Sequence, residues 1–268
     1  MMTGGNFRLR ALALTGAICT AAVLSVGGLA YGADAAGSTA RVTAADHAPA
    51  AQTPSNSGTL PDISPATTPA PVVTSIDVKP GDRWVLSITD DITGDLVRTL
   101  TMTVTENQGG TVTAQNSYVE ANAAAGSLPR VNTYTFDQSW NTISDGVWSW
   151  KPSAPAGIKL PLKLGAQWTT KTTVSRQGPN LSYTLTGTAK VTSWDHITLP
   201  SGLEYDAYRI EITTRARQNP QRLVESKSTF WYAPDVDHVI WRIEENRLNG
   251  HLTDRLVQSL TEYKRRDG

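Results

Sequence analysis

One cysteine, four histidines and no surplus of charge leave few kinds of chemistry open to this 268-residue chain. Cys19 alone can form neither an internal disulfide nor a cysteine-based zinc site. Lys and Arg total 24 and Asp and Glu total 24, whereas a protein that grips nucleic acid needs a basic surplus. No nucleic-acid partner is therefore expected. Past Gly32 there is no long apolar run, and the mean hydropathy of −0.28 excludes a multi-span membrane protein. The motifs H-E-x-x-H, G-x-S-x-G, the P-loop and G-x-G-x-x-G are all missing. No cofactor is expected.

What is present begins with an export signal. Arg8 and Arg10 precede an uncharged run from Ala11 to Gly32, and Ala33-Asp34-Ala35 fits an A-x-A cleavage site. Residues 1–35 read as a signal peptide. The alternative is an uncleaved membrane anchor, because roughly 20 apolar residues at 1.5 Å each span about 30 Å. Cys19 follows Ile18 rather than a small residue and reads as an apolar residue of this run. Residues 36–75 are mostly Ala, Gly, Ser, Thr and Pro, with no aromatic residue. Such a stretch buries too little apolar surface to offset the entropy of ordering it. The expectation is a disordered tether reaching about 35 Å as a flexible coil.

The composition changes at Ile76. Trp84, Leu86 and Ile88 alternate with Val85, Ser87 and Thr89, and Leu100, Met102 and Val104 alternate with Thr99, Thr101, Thr103 and Thr105. A period of two predicts half-buried strands, and β-branched Thr suits the outer face. Asp90–Asp95 predicts a hairpin loop, as do Gln218–Gln221 and, most strongly, Asn249-Gly250. Leu252, Leu256 and Leu260 match a helical spacing, but they follow that turn and read as strand. An internal echo divides the domain 76–264 into halves 76–150 and 158–264, with a Pro-rich crossing between them. Gly81-Asp82-Arg83-Trp84 opens one half and Gly165-Ala166-Gln167-Trp168 the other. The fold class expected is all-β: one strongly curved antiparallel sheet or open barrel, since curvature manages the edges.

Four segments carry a resemblance. They are Lys79–Trp84, Leu160–Trp168, Leu199-Pro200-Ser201-Gly202 and Phe230-Trp231-Tyr232-Ala233-Pro234-Asp235-Val236. From about Val78 to Tyr263 the chain resembles a group of exported bacterial domains of unknown function. That group is remotely similar in fold to the periplasmic lipoprotein-localisation factors and their outer-membrane receptor. Gly and a basic residue usually follow the last segment, where Asp237 and His238 stand here. The resemblance implies a curved antiparallel sheet and an exported location, and brings no functional residue.

Candidate sites are few. Asp235, Asp237 and His238 are the candidates for a divalent ion, with turn chemistry as the competing reading. Glu244 and Glu245 alternate across a strand and cannot act as a pair. A Ser/His/Asp site dispersed in sequence would involve His196, His238 or His251. Tyr134, Trp148 and Trp150 are the candidates for a concave apolar ligand site, against a core role. Arg98 and Arg242 read as solvated or paired. The functional expectation is an exported, periplasmic or extracellular, non-enzymatic domain of the cell envelope. It would bind a lipid or other apolar ligand, or an envelope protein partner. The alternatives are a structural or assembly role and a hydrolase, and the membrane is touched only through an uncleaved N-terminal segment.

Overall fold

The structure, a computed structural model, describes residues 60–124, 126–153, 157–176, 178 and 181–266. The expected signal and residues 36–59 of the tether lie outside the described residues. In chain order the strands are β1 (Asp62–Pro65), β2 (Arg83–Asp90), β3 (Leu96–Gln108), β4 (Thr111–Glu120), β5 (Arg130–Asp137), β6 (Thr142–Ser144) and β7 (Trp148–Lys151). They continue as β8 (Gln167–Arg176), β9 (Ser182–Thr198), β10 (Glu204–Asn219), β11 (Arg222–Ala233), β12 (His238–Leu248) and β13 (His251–Lys264).

From β2 to β13 each strand pairs antiparallel with the next, and β13 returns to β2 from Leu256↔Asp90 to Lys264↔Arg83. The curvature expected from sequence thus goes to closure in a twelve-stranded barrel, with β1 as an extra strand outside the ring. Closure removes the exposed edges that an open sheet would present.

The inner and outer walls follow the alternation. Trp84, Leu86, Ile88 and Leu100 are fully buried, and Met102 and Val104 are nearly so. The outer wall carries Thr184, Thr186, Thr188 and Lys190 on β9 and Glu211, Thr213 and Arg215 on β10, all exposed. A membrane-spanning barrel needs an apolar band where these residues stand, so this wall faces water.

The internal echo has a structural counterpart. The Gly81 N–H donates to Val104 O at 2.7 Å, and the Val104 N–H returns to Asp82 O at 2.9 Å. In the other half the Gly165 N–H donates to Val191 O at 3.2 Å, and the Val191 N–H returns to Ala166 O at 2.9 Å. Gly81 and Gly165 have φ of 100° and 78°, values at which any other residue is strained. The same turn thus leads into β2 and into β8.

The tether's expected boundary at residue 75 needs correction. β1 pairs with the end of β9, Asp62↔Thr198 to Pro65↔Asp195, where β8 no longer reaches. Trp194 Nε1 donates to Thr68 O at 3.1 Å, Tyr208 donates its hydroxyl to Pro71 O, and Val73 bridges Leu162. Polar and backbone contacts hold this strap, so no apolar periodicity announced it.

Candidate functional site

The barrel has two unlike ends. The β2–β3, β4–β5, β6–β7, β8–β9, β10–β11 and β12–β13 hairpins turn at one, the hairpin end. At the other, Trp140 and the segment Gly157–Leu162 pack inward, with Ile158 and Leu162 buried. The backbone there is close. A Cβ on Gly157 would stand 2.2 Å from Ser139 O and 2.6 Å from the Trp140 carbonyl carbon. Gly157→Ala is expected to cost about 1–3 kcal/mol, because backbone must shift to admit the methyl. A thermal melt indistinguishable from wild type would show that the segment moves freely.

Beneath this segment lies a cavity. Met102, Phe136, Trp140, Ile158 and Val239 form its apolar wall, and Tyr232, His238, Arg242 and Gln258 supply polar atoms. Its enclosed volume is about 20 Å³, the scale of one water. Gln258 and Arg242 face each other across β12 and β13. Both are buried, and the Gln258 Oε1 has no hydrogen-bond partner among the described residues.

A polar stripe runs from the cavity toward the hairpin end. Arg242 Nη1 lies 3.9 Å from Glu244, and its guanidinium sits 4.9 Å from the Phe230 ring centre. Asn246 donates to Glu244 at 3.3 Å and to Asp254 at 2.7 Å. Burial pushes the Glu244 carboxyl up, and Arg242 only partly counters it. Arg98, on the same inner wall, pairs with Glu120 at 3.7 Å. Sequence reading left solvation open for Arg98 and Arg242. Both are 3 % exposed, so pairing is the correct half of that expectation, and Glu244 and Glu245 do face opposite sides.

Of the candidates in and after the 3₁₀ turn Pro234–Val236, Asp237 and His238 have partners within the protein. Asp237, at φ 50°, offers its carbonyl to Trp140 Nε1 at 2.7 Å. Its carboxylate accepts from the Tyr232 hydroxyl at 3.2 Å and from Arg265 at 3.1 Å. His238 donates Nδ1–H to Val239 O at 2.9 Å, since a carbonyl can only accept. Its ring stacks on Trp84 at 5.0 Å and meets Trp140 edge-on at 5.3 Å. Burial pulls the imidazole pKa down to about 4, so the ring is neutral at physiological pH. Asp235 is exposed. Among the described residues no three His, Cys, Asp or Glu side chains are grouped to hold a metal.

One histidine meets both a carboxylate and a hydroxyl. His196 Nδ1 lies 2.8 Å from Asp206, and the Thr68 hydroxyl donates to the other Asp206 oxygen at 2.5 Å. That hydroxyl, then His196, holds the Asp206 carboxyl below its usual range. An activated nucleophile must donate to the imidazole. Here it donates to the carboxylate and fastens the strap to β10.

Tyr134, Trp148 and Trp150 all face the interior and are buried. Tyr134 stacks on Phe136 at 5.9 Å and so backs the cavity wall, while Trp148 meets Tyr183 edge-on at 5.9 Å. None of the three lines the cavity itself. Sequence reading missed Phe136, Trp140, Tyr232, Arg242 and Gln258. The alternation in β5, β11, β12 and β13 signals the inward direction of all but Trp140, which stands in a loop.

No family model matches the chain, and no curated protein matches it. Three solved structures align with it. A lipoprotein candidate from Parabacteroides distasonis aligns at TM-score 0.48 and 13% identity over 71% of this chain and 99% of its own. A candidate exported protein of YmcC-like fold from Bacteroides fragilis aligns at TM-score 0.46 and 12% identity over 72% and 100%. The hypothetical lipoprotein YmcC from Escherichia coli aligns at TM-score 0.38 and 12% identity over 69% and 85%.

Proposed function

We propose that this chain is an exported, non-enzymatic barrel of the cell envelope that takes an apolar ligand with a hydrogen-bonding head into its interior. One observation carries the reading: an apolar and aromatic wall converges with Arg242 and the unpartnered Gln258 carbonyl in one enclosed space. Apolar walls with a few convergent polar groups are the general form of a ligand site. Export rests on the basic residues, the apolar run and the A-x-A site of residues 1–35.

Ligand sites occupy about 300–1,000 Å³, far more than the space enclosed here. Admission therefore requires Gly157 and Ile158 to move outward. Their backbone ties to the barrel are the Ile158 N–H donated to Ser139 O at 3.0 Å, the Gly157 N–H donated to Asn141 Oδ1 at 3.2 Å and the Ile158 carbonyl accepting from Asn141 Nδ2 at 3.4 Å. Tyr134, Trp148 and Trp150 then extend the aromatic wall along the path of an acyl chain.

Dibromostearic acid tests this, because bromine quenches indole fluorescence at contact. The full chain is expected to be quenched, and Trp140→Phe to lose a large share of that quenching while keeping its fold by circular dichroism. Native mass spectrometry of protein taken from the envelope is expected to show a retained lipid. An empty monomer together with unquenched fluorescence would overturn the reading.

A further inference from the structure

Most of the exposed large apolar residues of strands β2 to β13 and their connections stand at the hairpin end, with Leu164 at the other. Leu128 (90 % exposed) and Val131 belong to the β4–β5 hairpin, Val147 to β6–β7 and Leu181 to β8–β9. The β4–β5 connection carries no charge from Ala121 to Pro129. These tips project from separate hairpins along one arc of the rim.

The same arc has an excess of positive charge. Arg130, Arg176, Arg217 and Arg222 stand on β5, β8, β10 and β11 at this end. Arg217 reaches the Pro220 carbonyl and Arg176 lies over Trp148. None of the four has a carboxylate within ion-pair distance among the described residues. The carboxylates of the arc are engaged: Glu120 with Arg98, Glu225 with Arg215, and Asp145 with the N–H groups of Val147 and Trp148.

We propose that this arc docks the barrel mouth on an anionic lipid surface. Apolar tips backed by unneutralised arginines match a bilayer interface, where side chains enter about 5–10 Å and phosphates lie just above. Separate projecting points suit fluid headgroups better than a protein partner, which buries one continuous patch. The inference stands on the outer rim and is independent of the cavity.

An environment-sensitive label reports the docking site by site. The full chain carries Cys19→Ser and one new cysteine, at Leu128→Cys, Val147→Cys or, at the opposite end, Leu164→Cys, coupled to a nitrobenzoxadiazole dye. On vesicles of phosphatidylcholine with phosphatidylglycerol, the dyes at 128 and 147 are expected to brighten and shift to the blue, and the dye at 164 to stay unchanged. Arg130→Gln and Arg217→Gln are each expected to raise the vesicle concentration for half response about fivefold. All labelled positions are exposed, and matching circular dichroism verifies the fold. No response at 128 and 147, or an equal response at 164, overturns the proposal. A response that grows with protein concentration without vesicles assigns the rim to a second copy and overturns it as well.

Discussion

Trp84→Ala is expected to be the most destabilising single truncation in the barrel, costing about 3–5 kcal/mol. Trp84 has no exposed surface and sits on β2 beside β13, at the seam where the last strand returns to the first. Three rings surround it: His238 at 5.0 Å, Tyr263 at 5.6 Å and Trp140, edge-on, at 5.8 Å. Its Nε1–H donates to Val236 O at 2.9 Å and so fixes the turn between β11 and β12. Alanine removes the packing, opens a cavity and leaves a buried carbonyl without its donor. For a barrel of this size the melting temperature should fall by on the order of 10 °C. Trp84→Phe separates the contributions, since it keeps most of the apolar surface and loses only the donor, at about 1–3 kcal/mol. Were Trp84→Ala to melt like the outer-wall control Thr101→Ala, the seam would not depend on this ring.

The strands around Trp84 were legible because their information is local. Trp84, Leu86 and Ile88 face one way by period two, and the Asp90–Asp95 loop and Asn249-Gly250 turn fix where the chain reverses. Gly94 takes φ 77° and Asn249 and Gly250 take φ 51° and 82°, the positive values that tight hairpin turns require of Gly and Asn. Closure was less legible, because it is a property of register between strands. β9 pairs with β8 over Ser182–Lys190, then passes a bulge and pairs with β1 over Asp195–Thr198. Nothing in Ser182–Lys190 tells that its partner is Gln167–Ser175.

The site was harder still. Arg242 and Gln258 are polar residues on alternating strands, and alternation alone assigns them a side without saying how polar that side is. Only the assembled wall shows Arg242 meeting Glu244 and Phe230. Trp140 stands at φ 59° in a loop, a position set by the Asp137 carboxylate accepting from the Ser139 and Asn141 N–H groups at 2.9 and 3.0 Å. The Asp-x-x-x-Asn spacing announces a turn but not the indole that it aims into the barrel. Arg265 binds the Asp237 carboxylate, and the Arg266 N–H donates to Asp82 at 2.8 Å, so these two residues are fastened at the end where Trp140 packs inward.

Acid should weaken this barrel through His238 before it does so through most of its carboxylates. The imidazole takes its proton near pH 6.5 in the unfolded chain and near pH 4 in the folded one, because burial disfavours the cation and Arg242 adds repulsion. Between these values the unfolded chain holds more protons, so stability rises with pH in that window and is lost as pH falls through it. The separation corresponds to about 3 kcal/mol lost between pH 6.5 and pH 4. Glu244 and Asp237 act in the opposite sense, since burial raises both and protonation eases their burial. Asp206 and Glu245 are held low by their partners and add to the acid loss only below their ordinary range. His238→Phe isolates the imidazole: it keeps a ring against Trp84 and Trp140 and loses the titration. Urea unfolding at several pH values should give wild type the steeper decline between pH 6.5 and pH 4.5, with the variant nearly flat there. Parallel curves for the two proteins would mean that folding does not displace the His238 titration from that of the unfolded chain.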